Sequence, residues 1–159
     1  MIRGIHHVAL VVNDLEKMLA FYEGVLGFRT ATQIGWERGQ DAVDEIIGVQ
    51  GSAADVRILR AGNAYLELFH FSAPAGRPTD PDNPAMDHGL RHLAFDVVDI
   101  DSEYERLKAL GVPFNCPPRE VEVQGHPLKA VYFRDPEGNI LEFQELLEGP
   151  DDPIALPGF

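Results

Sequence analysis

The chain has 159 residues, of which 45% are hydrophobic and 9% aromatic, and a formal net charge of −13. That length supports one domain or two fused half-domains sharing a core, with the composition of a globular chain and not a disordered one. The charge argues against nucleic acid or an anionic membrane as partner, since phosphate binding needs clustered Lys and Arg, and an acidic surface mainly keeps the chain soluble. No apolar run approaches the ~20 residues that span a bilayer, and Met1-Ile2-Arg3-Gly4 leads straight into a strand without a charged and then apolar leader. A lone cysteine, Cys116, excludes an internal disulfide and suits a reducing, cytoplasmic setting.

Residues 3–12 alternate and are rich in β-branched side chains, which predicts a strand. Asn13 offers an N-cap with Glu16 as its capping-box partner. Leu15, Met18, Leu19, Tyr22, Val25 and Leu26 then recur at helical spacing until Gly27 stops the helix. A strand follows from Phe28 to about Trp36, then a short helix over 40–48. A hairpin of 55–59 and 63–70 is expected around Ala61-Gly62. Residues 72–88 hold four prolines and few apolar residues, and read as a linker. Beyond it the pattern predicts a strand at 90–98, a helix at 100–110 ending at Gly111 and a strand near 112–115. A loop at 116–126, strands at 128–134 and 139–146, and a surface tail over 147–159 complete the reading.

The order repeats, and so do particular residues. Ile5-His6-His7-Val8-Ala9-Leu10 returns as Leu90-Arg91-His92-Leu93-Ala94-Phe95, 85 residues on (7 to 92). Each copy later carries a glutamate inside an apolar strand: Glu67 in Tyr65-Leu66-Glu67-Leu68-Phe69, and Glu142 in Ile140-Leu141-Glu142-Phe143. Each half is thus strand, helix and three strands, with one sheet face uncovered, so the halves are expected to pair by a pseudo-twofold. The expected boundaries are 1–71 for the first module, 72–88 for the linker, 89–146 for the second module and 147–159 for the tail. The strands favour an open, barrel-like antiparallel sheet with helices outside.

Taken one at a time, a histidine at a strand start is usually a hydrogen-bonded edge residue, and a glutamate in a half-buried strand usually faces water. Their equivalent placement in both copies points instead to a shared cation. Two buried carboxylates without partners would cost several kcal/mol each, a cost that a divalent ion removes. Two imidazoles and two carboxylates suit Zn, Ni, Co, Mn or Fe(II) and not a calcium cage. His6 is expected to face away from His7, His70 to end its strand, and His88 and His126 to lie in loops. Tyr132 reads as a core aromatic, and Asp135-Pro136-Glu137-Gly138-Asn139 as a turn between the last two strands. Arg57, Arg91 and Lys129 are candidates to meet an anionic substrate.

At these residues the chain resembles the vicinal oxygen chelate superfamily of glyoxalases, epimerases, extradiol dioxygenases and fosfomycin and bleomycin resistance proteins. The resemblance rests on Ile5–Val12, Phe21-Tyr22-Glu23-Gly24-Val25-Leu26-Gly27-Phe28, Tyr65–Leu68, Gly89–Val98 and the stretch Tyr132–Glu142. It implies an α+β fold of two βαβββ modules forming a cup around one divalent metal, with His7, Glu67, His92 and Glu142 at the ligand positions. It also implies a homodimer. Acids at both Glu67 and Glu142 are more similar to glyoxalase I than to a two-histidine, one-carboxylate dioxygenase. The implied reaction is that of a metal-dependent lyase or epimerase/isomerase acting through an enediolate on a small-molecule, oxygenated substrate, with Glu142 as ligand and base and Glu67 as its pseudosymmetric partner. An Fe(II) extradiol-type dioxygenase, which would give Tyr132 a role near the metal, is the alternative, and a non-catalytic drug-binding resistance protein the second. The linker and the 40–48 segment are additions able to lid or reshape the cup.

Overall fold

Each half of the chain sets its first strand parallel to its last, and this pairing fixes where the histidine and the glutamate fall. The protein is described from a computed structural model, which covers residues 1–123, 125–148 and 152–156. It divides into a unit spanning Met1–Thr79 and one that begins at Asp80. Together they form an α+β protein of two four-stranded mixed sheets and, among the described residues, three helices; neither sheet closes into a barrel.

The first unit runs β1 (His7–Val11), α1 (Leu15–Gly24), β2 (Arg29–Trp36), α2 (Asp41–Ile47), β3 (Ala53–Ala61) and β4 (Ala64–Ala73). Its sheet order is β1-β4-β3-β2, with β1 parallel to β4 and the other pairs antiparallel. Alternation sends Leu66 and Leu68 of β4 to one face. Met18 and Tyr22, one helical turn apart on α1, are fully buried, as are Leu59 and Leu68 of the sheet. Each such side chain contributes about 1.5–3 kcal/mol by leaving water. His7, Ala9 and Val11 lie on the opposite, exposed face of β1.

The second unit repeats this plan with β5 (His92–Asp96), α3 (Ile100–Ala109), β6 (Arg119–Val123), β7 (His126–Arg134) and β8 (Ile140–Leu146). The order β5-β8-β7-β6 has the same parallel outer pair. Ile100 and Leu107 of α3 are fully buried, as are Phe133 and Leu141 of the sheet. Phe133 packs on Phe143 with ring centroids 4.6 Å apart. Helix α2 has no counterpart here among the described residues, and fewer residues separate His92 from Glu142 than His7 from Glu67.

Several expectations change. The sheets are mixed and not antiparallel, because each histidine strand joins its sheet in parallel. The N-cap of α1 is Asp14, whose carboxylate accepts from the Lys17 N–H at 3.0 Å, and not Asn13. The strand near 112–115 reduces to a single bridge, Phe114 to Phe133. The loop at 116–126 contains β6, and His126 opens β7. His70 lies inside β4 instead of ending it. The expected surface tail falls partly on 149–151 and 157–159, outside the described residues; within 152–156, Asp152 is buried.

Residues 74–91 contain no helix or strand, yet part of this segment is held firmly. The Arg134 guanidinium donates from Nη1 to the Pro81 and Gly138 carbonyls at 2.9 and 2.6 Å. Its Nη2 donates to the Asn83 carbonyl at 2.8 Å. Gly138 has φ +88°, and a Cβ there would sit 2.4 Å from Pro81 Cα. The turn is closed by Asp135, whose Oδ1 accepts from the Glu137 and Asn139 N–H groups at 2.9 Å each.

Candidate functional site

In the first unit the parallel register sets Ala9 opposite Glu67, so His7 lies two residues before that partner on the same face. The His7 Nε2 reaches the Glu67 Oε2 at 3.4 Å. Glu67 is buried between Leu66 and Leu68, both of which point the other way. His6 precedes β1, so strand alternation does not govern it. Its Nδ1 lies 2.9 Å from the His7 Nδ1, one nitrogen donating to the other, while its ring stacks on Tyr65 with centroids 5.1 Å apart. That contact occupies His7 Nδ1 and leaves Nε2 for the carboxylate, the way an outer partner orients a ligand imidazole.

The second unit reproduces the diagonal. Ala94 pairs with Glu142, and the His92 Nε2 lies 3.2 Å from the Glu142 Oε2. The surroundings differ. Tyr132 stands directly opposite Glu142 in the antiparallel ladder and has its ring centroid 5.1 Å from that of His92. In the first unit the residue opposite Glu67 is Ile58. Burial pushes the Glu142 carboxyl above its ordinary value, against the opposing effects of His92 and Tyr132. Burial, with the Glu142 charge adding to it, raises the Tyr132 phenol as well. Asp96 shares this face of β5, and its carboxyl is raised by burial and by the nearby Glu145. Sequence reasoning did not single out Asp96; its place two positions beyond Ala94 on the alternating strand was the available signal.

Each unit also encloses a hollow. Beyond Glu67 on β4, Phe69 and Phe71 stack at 5.4 Å, and Trp36 meets both edge-on. Trp36 is fixed by its indole N–H, which donates to the Ser52 Oγ at 2.8 Å. Ser52 in turn donates to Asp44 of α2 at 2.5 Å, and that bond holds the Asp44 carboxyl below its ordinary value. A cavity of about 770 Å³ lies beside Trp36, with Val43 and Ser72 in its wall. In the second unit a cavity of about 260 Å³ adjoins Tyr132 and Arg134, with Pro84 and Ala85 of the linker closing one side.

The basic residues do not join these groups. Arg57 lies next to Ile58 and so faces away from Glu67, donating to the Val56 carbonyl at 3.2 Å. Arg91 donates to the Leu90 carbonyl, and Lys129 is ion-paired with Asp101 of α3.

Residues 4–143 match the family described as the Glyoxalase/Bleomycin resistance protein/Dioxygenase superfamily. The chain belongs to that superfamily. Among its relatives is a 2-epi-5-epi-valiolone epimerase from an Actinomyces species, 34% identical, with 92% of this chain and 81% of that protein covered. A lactoylglutathione lyase from Pseudomonas aeruginosa is 29% identical over 86% of this chain and 79% of its own. A solved glyoxalase family protein from Bacillus cereus, 21% identical, superposes with a TM-score of 0.78 over 92% of this chain and 96% of its own. Superfamily membership accords with the two repeated sheets, and no described helix is long and apolar enough to cross a membrane.

Proposed function

We propose that the protein is a divalent-metal-dependent lyase or epimerase/isomerase of the glyoxalase type. In this reading it removes the proton beside a carbonyl of a small oxygenated substrate. His7, Glu67, His92 and Glu142 form the ligand set for one cation, whether Zn, Ni, Co, Mn or Fe(II). The observation that carries the reading is the setting of Glu142, a largely buried carboxylate 3.2 Å from His92 whose pairing recurs as Glu67 with His7. Each pair offers an imidazole nitrogen and a carboxylate oxygen within reach of each other, the donor chemistry these metals take. The epimerase and lyase among the relatives support the same class.

Bound at this set, a divalent cation supplies Lewis acidity to the substrate oxygens. The chain's own residues do the rest. Glu142, its affinity for a proton raised by burial, accepts the substrate C–H proton as general base. Tyr132, directly across the ladder from that carboxylate, limits the rise. His6 holds the His7 ring in the orientation that presents Nε2. The Trp36, Phe69 and Phe71 wall offers an apolar surface to the carbon skeleton.

Elemental analysis of the protein purified without added metal is expected to find a tightly held divalent ion. Incubation with 2-epi-5-epi-valiolone in deuterated water is expected to exchange a carbon-bound proton. Glu67→Gln and Glu142→Gln are each expected to weaken metal retention or turnover; both variants behaving as wild type would overturn the proposal. The contact of Tyr132 with His92 and Glu142 favours a second reading, an Fe(II) dioxygenase of catechol-like substrates. Oxygen uptake by the iron-loaded protein across a catechol panel would move the assignment there, and its absence would dismiss it.

A further inference from the structure

We propose a second divalent-cation site in this chain, built from His126, Glu148 and Asp152 and separate from the His92–Glu142 pair. His126 opens β7, and the ladder that pairs Leu128 with Leu146 brings His126 level with Glu148 just past the end of β8. The His126 Nδ1 lies 2.9 Å from the Glu148 Oε2. Asp152 opens a turn bonded from the Ala155 N–H to its own carbonyl at 3.0 Å, and its carboxylate lies beside them. One ligand atom from each of the three residues falls within 4.8 Å of the other two. This is the only such trio of His, Cys, Asp or Glu among the described residues.

A trio of this kind on a surface is ordinarily solvated, and the state of Asp152 is what sets this one apart. Its residue is 5% exposed. Oδ1 accepts from the Ile154 N–H at 2.9 Å, whereas Oδ2 is buried with no hydrogen-bond donor among the described residues. A buried carboxylate oxygen left in that condition is costly unless a cation or a proton answers it. An imidazole nitrogen and two carboxylate oxygens are a ligand set for Zn or a similar borderline divalent ion. Such a centre holds its ligand atoms about 3.3 Å apart, from metal–ligand distances of ~2.0–2.2 Å. The exposed Glu148 side chain is free to supply the remaining approach. His126 lies six positions before Tyr132 on β7, about 20 Å of strand, so the trio cannot share an ion with the His92–Glu142 pair. Its role is structural: it ties the segment after β8 to the mouth of the β7–β8 hairpin.

Zn(II) is the probe, and the experiment is run on a chain in which the other pairs have been disabled by His7→Ala and His92→Ala. After exhaustive dialysis, calorimetric titration of that chain with zinc is expected to give one equivalent. Adding Asp152→Asn or His126→Ala to it should weaken the remaining binding at least tenfold. In the otherwise wild-type chain, Asp152→Asn should lower bound zinc by one equivalent while deuterium exchange on 2-epi-5-epi-valiolone persists, which separates this site from the proposed catalytic one. No zinc bound by the His7→Ala, His92→Ala chain, with Asp152→Asn leaving wild-type stoichiometry unchanged, would show that a proton satisfies Asp152 and would overturn the proposal. Zinc binding indifferent to both Asp152→Asn and His126→Ala would overturn it too.

Discussion

The two units share a backbone solution and differ in what surrounds it. In both, a histidine that opens a strand meets a glutamate on the parallel neighbour, at 3.4 Å in the first and 3.2 Å in the second. Around Glu67 the facing residue is Ile58 and the histidine is braced by another histidine. Around Glu142 the facing residue is Tyr132, and Asp96 occupies the strand position that Val11 holds in the first unit. Register therefore preserves the histidine–glutamate pair, while different residues on the same face surround the second pair with more polar groups than the first. Duplication supplied the geometry; the neighbours supply the chemistry.

The sharpest way to break this comparison is to treat the glutamates alike. Glu142→Gln is expected to lower turnover by about 10²-fold or more, the scale of a lost general base. Glu67→Gln should act chiefly through weaker metal retention, with a smaller loss of turnover at saturating metal. Equal losses in turnover at saturating metal would remove the asymmetry.

The next effect is on stability and should be symmetric. Met18→Ala on α1 and Leu107→Ala on α3 each empty a fully buried position, and each is expected to cost about 2–5 kcal/mol in urea unfolding. A much smaller cost in one unit would mean that its helix is loosely packed.

A subtler test concerns protons. Tyr132 holds the Glu142 carboxyl down against the larger effect of burial, so Tyr132→Phe should raise it further. The acidic limb of kcat/KM is then expected to move to higher pH, since the ionised carboxylate is the proposed base. In metal-free protein the sign for stability is opposite to that of a salt-bridged acid. The folded state binds the Glu142 proton more tightly than the unfolded chain, so its contribution is full below the ordinary value of 4.5 and is lost as pH rises through the folded value. Glu142→Gln should accordingly raise the melting temperature at neutral pH, with the gain fading in acid.

The smallest effect is at the helix starts. Asp14→Ala removes the bond to the Lys17 N–H and is expected to cost about 1 kcal/mol, measured by thermal unfolding.

The repeat, the helices and the strands that carry His7, Glu67, His92 and Glu142 were legible because each has a buried or half-buried face that imposes a period on the sequence. β6 was not. All five residues of Arg119–Val123 are exposed, so the strand exists through its hydrogen bonds to β7 and leaves little apolar signature beside Cys116-Pro117-Pro118. His6 was misjudged because alternation holds only within a strand, and β1 begins one residue later. The slip from Asn13 to Asp14 has a similar origin, as both residue types cap equally well and only the backbone decides between them. Tyr132 read as a core aromatic; nothing local in the sequence says which residue across a ladder stands opposite a glutamate. Asp152 was lost in a tail whose composition suggested only solvent.

The grip of Arg134 on the Pro81 and Asn83 carbonyls, with Gly138 kept bare of a Cβ beneath Pro81, means that the second copy has annexed half of the linker. The halves are consequently no longer interchangeable parts. A chain split or circularly permuted within 74–79 would leave each copy its own complement, whereas one opened within 81–83 would deprive the second copy of a piece of itself.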